Sequence, residues 1–232
     1  VSGRDPDGFI RAHTVQAAPP LTPGILLHLA TEITPIWQAT EDWMKDNGLE
    51  PPFWAFAWPG GQVLARYLLD NPALVAGKRV LDFAAGGGIA AIAAAQAGAV
   101  FVEAAEIDPL ARAAIRLNAA ANGVSIAVPE RDVVGTSGGW DLILCGDVCY
   151  EAAMTGHIMP WLRAEAAHAE VWIADPGRAY LPKAGLTAIG RWTVPTSLEL
   201  EDRLEREVVL YRVVSGQTGA AGAGLAETED SP

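Results

Sequence analysis

From residue 79 onward the chain alternates between two patterns. Short apolar runs of strand length recur at RVLDF (79–83), VFVEAAEI (100–107), SIAVPE (125–130), WDLILCGD (140–147) and EVWIADP (170–176). Several are too continuously apolar to leave one face in water, as expected of strands buried on both sides. Between them lie stretches with helical punctuation. Small residues fill 88–97 before Gly98; Asp108 opens and Gly123 closes 109–123; a further helical pattern covers 151–167. Strands separated by helices predict an α/β fold with a parallel sheet covered on both faces. The last two apolar runs, 190–197 and 205–214, leave little room for a helix between them. They predict a terminal hairpin that adds an antiparallel edge, for seven strands in all.

The pattern is different before residue 79. Residues 1–20 read as an irregular arm ending in Pro19-Pro20, and 24–33 and 34–48 as two short helices, the second stopping at Asn47-Gly48. On that second helix Trp37 and Trp43 lie on opposite phases and suit packing or a protein-docking face. The segment PPFWAFAWPGG (51–61) fits neither a helix nor a strand period, and 62–71 is helical up to Pro72. The chain is therefore read as one domain at 21–215, with an N-terminal helical cap (21–72) on a core (73–215). The small, polar residues 216–232 are expected to form a disordered tail.

Composition narrows the function. With 232 residues, half of them hydrophobic, the chain can bury one sizeable core. A net charge of −12 argues against a nucleic-acid surface and favours basic partners, although Glu227, Glu229 and Asp230 place part of it in the tail. No apolar stretch has membrane-spanning length and no secretory pattern opens the chain, so a cytoplasmic protein away from membranes is expected. Cys145 and Cys149 make neither a zinc pattern nor a disulfide framework, and the four histidines form no ligand-spaced pair, so no metal is expected.

The candidate chemistry sits at strand ends. VLDFAAGGG puts Asp82 at the end of a strand, ahead of a tight loop that reads D-x-A-x-G-x-G (Asp82, Ala84, Gly86, Gly88) and feeds a helix N-terminus. A carboxylate there suits an amine or a sulfonium and is awkward for a diphosphate, which would call for G-x-G-x-x-G. Glu106, at the end of the next strand, stands where an acid accepts hydrogen bonds from ribose hydroxyls. Asp108 is placed to cap the following helix. Asp132 could reach the exocyclic amine of an adenine, and Asp147 follows another strand at the edge where ligands bind in such sheets. Cys145 lies near that strand end as a small apolar filler, and Glu103 reads as a surface acid. Asp175-Pro176-Gly177-Arg178 reads equally as a turn or as a substrate contact.

Taken together, PFWAFAWPGG, VLDFAAGGG, AEIDPLA, the N-x3-N-G helix end (Asn118, Asn122, Gly123) and GDVCYE resemble the methyltransferase family 16 lysine methyltransferases, within the class I S-adenosylmethionine-dependent enzymes. The resemblance spans roughly 25–214, and Ala84-Ala85 depart from the more glycine-rich loop of many relatives. It implies a Rossmann-like class I sheet with S-adenosylmethionine as cofactor. Trp58 and Gly60 would lie against that cofactor, with Asp82, Ala84, Gly86 and Gly88 from the loop. Glu106 and Ile107 would hold its ribose side, with Asp132, Val133 and Cys145 nearby. Phe53 and Trp54 would wall a lysine channel, with Asp147 binding the substrate and Asp147 and Tyr150 catalytic; for Tyr150, orienting Asp147 and simple packing weigh equally. The implied protein substrate is a lysine on the beta subunit of the electron transfer flavoprotein, whose docking with dehydrogenases would change on methylation. A monomer is expected. Other readings are a methyltransferase for another protein, such as a ribosomal one, or for a small-molecule amine, an NAD-dependent oxidoreductase, and an inactive binding module.

Overall fold

The computed structural model describes residues 5–31, 51–197 and 201–215. The helix expected at 34–48, with Trp37 and Trp43, and the tail at 216–232 lie outside the described residues. Six strands form the main sheet: β3 (Arg79–Phe83), β4 (Phe101–Ala105), β5 (Leu142–Gly146), β6 (Glu170–Asp175), β7 (Leu186–Pro195) and β8 (Glu205–Val213). Their order is β4-β3-β5-β6-β8-β7. The first four are parallel, and β8 runs antiparallel to both β6 and β7. The expected hairpin is present, and its first strand begins at Leu186 rather than at residue 190.

Sequence alternation explains how the sheet is covered. Val80, Leu142 and Leu144 point into a cluster with Val63, Leu64 and Leu68 of α2 (Pro59–Asp70) and the small residues of α3 (Ile89–Gln96). Leu81, Phe83, Ile143 and Cys145 point the other way, onto Ile158, Trp161 and Leu162 of α5 (Ala152–Glu165). Helix α4 (Pro109–Ala121) starts at Asp108, whose Oδ1 accepts the Leu110 N–H at 2.8 Å, as its position in the sequence suggests.

Four expectations are corrected. The run 125–130 supplies only a single parallel bridge, Glu103 to Ala127, so among the described residues the sheet has six strands instead of seven. Ala127 exchanges two hydrogen bonds with Val102 and Ala104, and Pro129 then has no N–H to continue the ladder. Residues 6–13, expected to be irregular, form helix α1 (Pro6–His13), capped by Asp5. The expected helix at 24–33 is instead the short strand β2 (Leu27–Leu29), paired antiparallel with β1 (Val15–Ala17). The cause lies far along the chain. The Asn118 side chain accepts the His28 N–H, while Asn122 accepts from Leu26 N–H and donates to Leu26 C=O, at 2.6–2.9 Å. Those backbone groups would otherwise pair within a helix. Glu103, read as a surface acid, is buried, bonded to Trp140 and paired with Arg131.

Candidate active site

The chain leaves β3 for β4 on one side and returns to β5 on the other, so the C-terminal ends of β3 and β5 diverge around a crevice, where ligands bind in such sheets. A cavity of about 730 Å3 opens there, within the roughly 300–1,000 Å3 typical of small-molecule sites. Its wall includes Phe53, Trp54 and Trp58, then Ala84 and Gly86 after β3, Glu106 and Ile107 after β4, Asp132 and Val133, and Asp147 and Tyr150 after β5. Eleven of the residues singled out in the sequence thus converge on one space. A smaller recess shares Trp58, Ala84, Gly86 and Gly146 with it and is bordered by Asp82.

Each acid is held by backbone donors. Asp82 Oδ2 accepts the Ala91 N–H at 2.8 Å, so it caps α3 while bordering the recess. Burial pushes its carboxyl up to about 8, with Glu106 adding to the rise. Glu106 accepts from Gly86, Ile107 and Asp108 N–H at 2.7–3.2 Å, which ties the glycine loop to the end of β4. Burial raises its pKa and these three bonds oppose the rise. They use three of about four acceptor positions on a carboxylate, leaving room for one more donor from the cavity. The Ile107 side chain beside it is 75% exposed, an apolar face presented to the cavity. Asp132 bonds the Val134 N–H and also lines the wall.

Asp147 has φ +56, a left-handed conformation that costs a non-glycine residue about 1 kcal/mol or more. Its side chain explains why it is tolerated. Oδ2 accepts the Gly60 N–H at 2.6 Å and Oδ1 accepts Arg178 Nη2 at 2.8 Å. A Cβ at Gly60 would lie 2.3 Å from Ala174 O and 2.5 Å from Asp147 Oδ2, so only glycine fits beneath this acid. Burial raises the Asp147 pKa to about 6 against the lowering influence of Arg178.

The aromatic segment forms one side of the cavity. Phe53–Ala55 make a 3-10 turn, and Trp58 Nε1 donates to Phe53 O at 2.8 Å. The Phe53 ring contacts both Trp58 and Tyr150. Tyr150 is thus engaged with Phe53, whereas Asp147 is held by Gly60 and Arg178. Three residues singled out in the sequence stand back from the cavity. Cys145 is fully buried in the core beneath α5, and Gly60 and Gly88 shape backbone at α2 and α3. Among the described residues no group of His, Cys, Asp and Glu could hold a metal ion.

Sequence reasoning left Arg178 equally a turn residue or a substrate contact, and it missed Glu201. The DPGR turn is real, since Asp175 Oδ1 accepts from Gly177 and Arg178 N–H, but the Arg178 side chain also reaches the cavity. Its place just past a parallel strand was the available signal. Glu201 lies in the connection between β7 and β8 and gave none.

The sheet order, the glycine loop and the two acids at the ends of β3 and β4 define a class I methyltransferase fold. Solved structures agree on the fold. A putative RNA methyltransferase from Pyrococcus horikoshii matches with a TM-score of 0.51 at 19% identity, covering 71% of this chain and 90% of that one. Magnesium protoporphyrin IX methyltransferase from Synechocystis, with bound S-adenosylmethionine, matches with a TM-score of 0.50 at 16% identity, covering 79% and 100%. The family described as ribosomal protein L11 methyltransferase (PrmA) matches residues 64–146. Electron transfer flavoprotein beta subunit lysine methyltransferases match far more of the chain. The one from Xenopus laevis is 44% identical over 75% of this chain and 71% of its own length. That from Danio rerio is 37% identical (78% and 72%), and that from Homo sapiens 38% (75% and 68%). The chain belongs to the electron transfer flavoprotein beta subunit lysine methyltransferase family.

Proposed function

We propose that this protein transfers methyl groups from S-adenosylmethionine to a lysine on the beta subunit of the electron transfer flavoprotein. One observation carries the reading. A single cavity joins Glu106 and Ile107, suited to a nucleoside, to Asp147 beneath an aromatic mouth, suited to an ammonium. The ribosomal-protein family match stops at residue 146, so it covers the cofactor half of the site and omits Asp147, Tyr150 and Arg178.

The residues present fit the cofactor. Ala84, Gly86 and Gly146 keep the wall free of bulk, Ile107 offers an apolar face, and the spare acceptor capacity of Glu106 suits a ribose hydroxyl. Asp82, beside the small recess, suits the cofactor's amine. When bound, S-adenosylmethionine supplies an electrophilic methyl group on a sulfonium. The acceptor lysine must be neutral, yet its free pKa is about 10.4. Asp147 holds and orients the ammonium, and with its pKa near 6 it is ionised at pH 7. Burial between Phe53, Trp58 and Tyr150 favours release of the proton to water or transiently to Asp147. Holding the amine in line supplies much of the acceleration.

The modified lysine is proposed to lie in an exposed loop that docks dehydrogenases, since such a loop can thread a side chain into a cavity. Methylation keeps the charge, removes donors and adds bulk, which weakens docking. The reading includes a monomer in the cytoplasm that engages neither nucleic acid nor membrane, and the charge of −12 supports the nucleic-acid part. The test combines purified flavoprotein, enzyme and cofactor and maps methyl groups by mass spectrometry. Methylated lysine on the beta subunit is expected; an unmodified beta subunit beside a labelled small amine or ribosomal protein would overturn the substrate.

A further inference from the structure

Asp147 is the near end of a chain of alternating charges. Arg178 Nη2 donates to Asp147 Oδ1 at 2.8 Å and to Glu201 Oε1 at 2.5 Å, and Nη1 donates to Glu201 Oε2 at 3.1 Å. Arg206 Nε then donates to Glu201 Oε2 at 2.9 Å. The Glu201 side chain is 1% exposed. The Arg178 guanidinium also stands 5.6 Å from the centre of the Trp58 ring and lines the cavity. A two-point clamp fixes the plane of a guanidinium as a single contact cannot. Burying so many charges is a poor way to gain stability, because desolvation consumes most of the attraction.

We propose that Arg178, clamped by Glu201 and set against Trp58, is a positioning residue for methyl transfer that keeps the Asp147 carboxylate ionised and aimed while disfavouring the protonated form of the arriving lysine. This rests on the role given to Asp147 above. A fixed cation beside the amine works against an ammonium in the same way that a second lysine would. Arg178 thus opposes the attraction of Asp147, leaving the lysine held without being locked in its charged form.

The surroundings of Asp147 set the direction of the effect. Burial raises its pKa, Arg178 is the largest influence lowering it, and the Gly60 N–H also lowers it. Asp175, at the end of β6, raises it. Glu201 stands beyond Arg178, and the Cys149 thiol, itself pushed up to about 12, is uncharged at neutral pH. Tyr150 and His157 border the same cavity.

The experiment compares wild type, Arg178→Gln, Arg178→Lys and Glu201→Gln, with Asp147→Asn as reference. Two readouts are taken: the pH profile of beta-subunit methylation at saturating S-adenosylmethionine, and carbon-13 NMR titration of the Asp147 carboxyl in cofactor-free protein. Wild type is expected to lose activity below pH 6, where Asp147 protonates. Arg178→Gln should move that limb and the carboxyl titration upward by about one pH unit, a tenfold change in proton affinity, with activity recovered in alkali. Arg178→Lys should hold the titration near wild type, because the charge remains, while kcat falls through loss of the clamp. Glu201→Gln removes a neighbouring negative charge, so its limb should move down. An activity limb that moves together with the carboxyl titration, in opposite directions in the Arg178→Gln and Glu201→Gln variants, is what a merely structural ion pair would not give. Should Arg178→Gln fail to fold, Arg178→Lys and Glu201→Gln decide alone. Unmoved titrations in an active enzyme overturn this inference only, whereas a wild-type protein that leaves the beta subunit unmodified overturns it together with the function it rests on.

Discussion

A carboxyl kept out of water is costly wherever it does not meet a cation, and Asp82 shows the cost most plainly. Its pKa is pushed up to about 8, against about 3.9 in an unfolded chain. Between those values the folded protein holds a proton that the unfolded chain releases, so stability falls as pH rises through that window. Asp82→Asn removes the dependence while leaving an oxygen to cap α3. In cofactor-free protein this variant should melt higher than wild type at pH 9, with the gap closing towards pH 4, and it should bind S-adenosylmethionine more weakly. A melting difference that is the same at both pH values would show that Asp82 does not titrate as described. Glu106→Gln is the companion case. Its carboxylate takes three backbone donors, and an amide has only one accepting oxygen. Calorimetry should show cofactor affinity lower by roughly 1.5–3 kcal/mol, and an unchanged value would put the ribose elsewhere. For Asp147→Asn the expectation is a retained fold and cofactor affinity with most methyl transfer lost; turnover within a factor of about two of wild type, well under 1 kcal/mol, would make Asp147 structural.

Helix α2 begins with glycines because of what lies beneath it. Gly60→Ala would push a methyl group into Ala174 O and Asp147 Oδ2. Overpacking of this kind costs about 1–3 kcal/mol, and the larger effect should be on turnover, since the Asp147 carboxylate is displaced. A variant with wild-type kcat would show that the Gly60 N–H bond is dispensable. The elements themselves divide by how they were legible. Strand β3 was read to the residue from RVLDF, because a short apolar run of strand length ahead of a glycine loop carries its own signature. The ribbon of β1 and β2 was not, because GILLHL suits helix or strand locally and the choice was made by asparagines some ninety residues away. The site divides in the same manner. Acids at the ends of β3, β4 and β5 were legible because strand ends face the crevice. Glu201 and its pairing with Arg178 were not, because their meeting depends on how the terminal hairpin folds back beside β6.

Across the whole molecule, a net charge of −12 sets a long-range preference for a lysine with basic neighbours. The apparent kcat/KM for the beta subunit should fall several-fold as ionic strength rises from about 0.05 to 0.3 M, as screening shortens the reach of that field. A salt-independent rate would locate the recognition in local contacts instead. The asparagine pair of α4 has a different molecule-wide effect. Asn118 accepts from His28 N–H on the ribbon and donates to Gly87 O in the glycine loop, so one carboxamide joins both. Asn118→Ala should cost about 1–3 kcal/mol and weaken cofactor binding although it lies outside the cavity, which calorimetry would register. The same tie also carries a kinetic consequence. Ribbon and loop become one cooperative unit that opens and closes together, and whatever quiets the loop must quiet the ribbon too. Hydrogen exchange should therefore slow at the Leu26 and His28 amides when S-adenosylmethionine is added, so that the ribbon reports an event at the glycine loop.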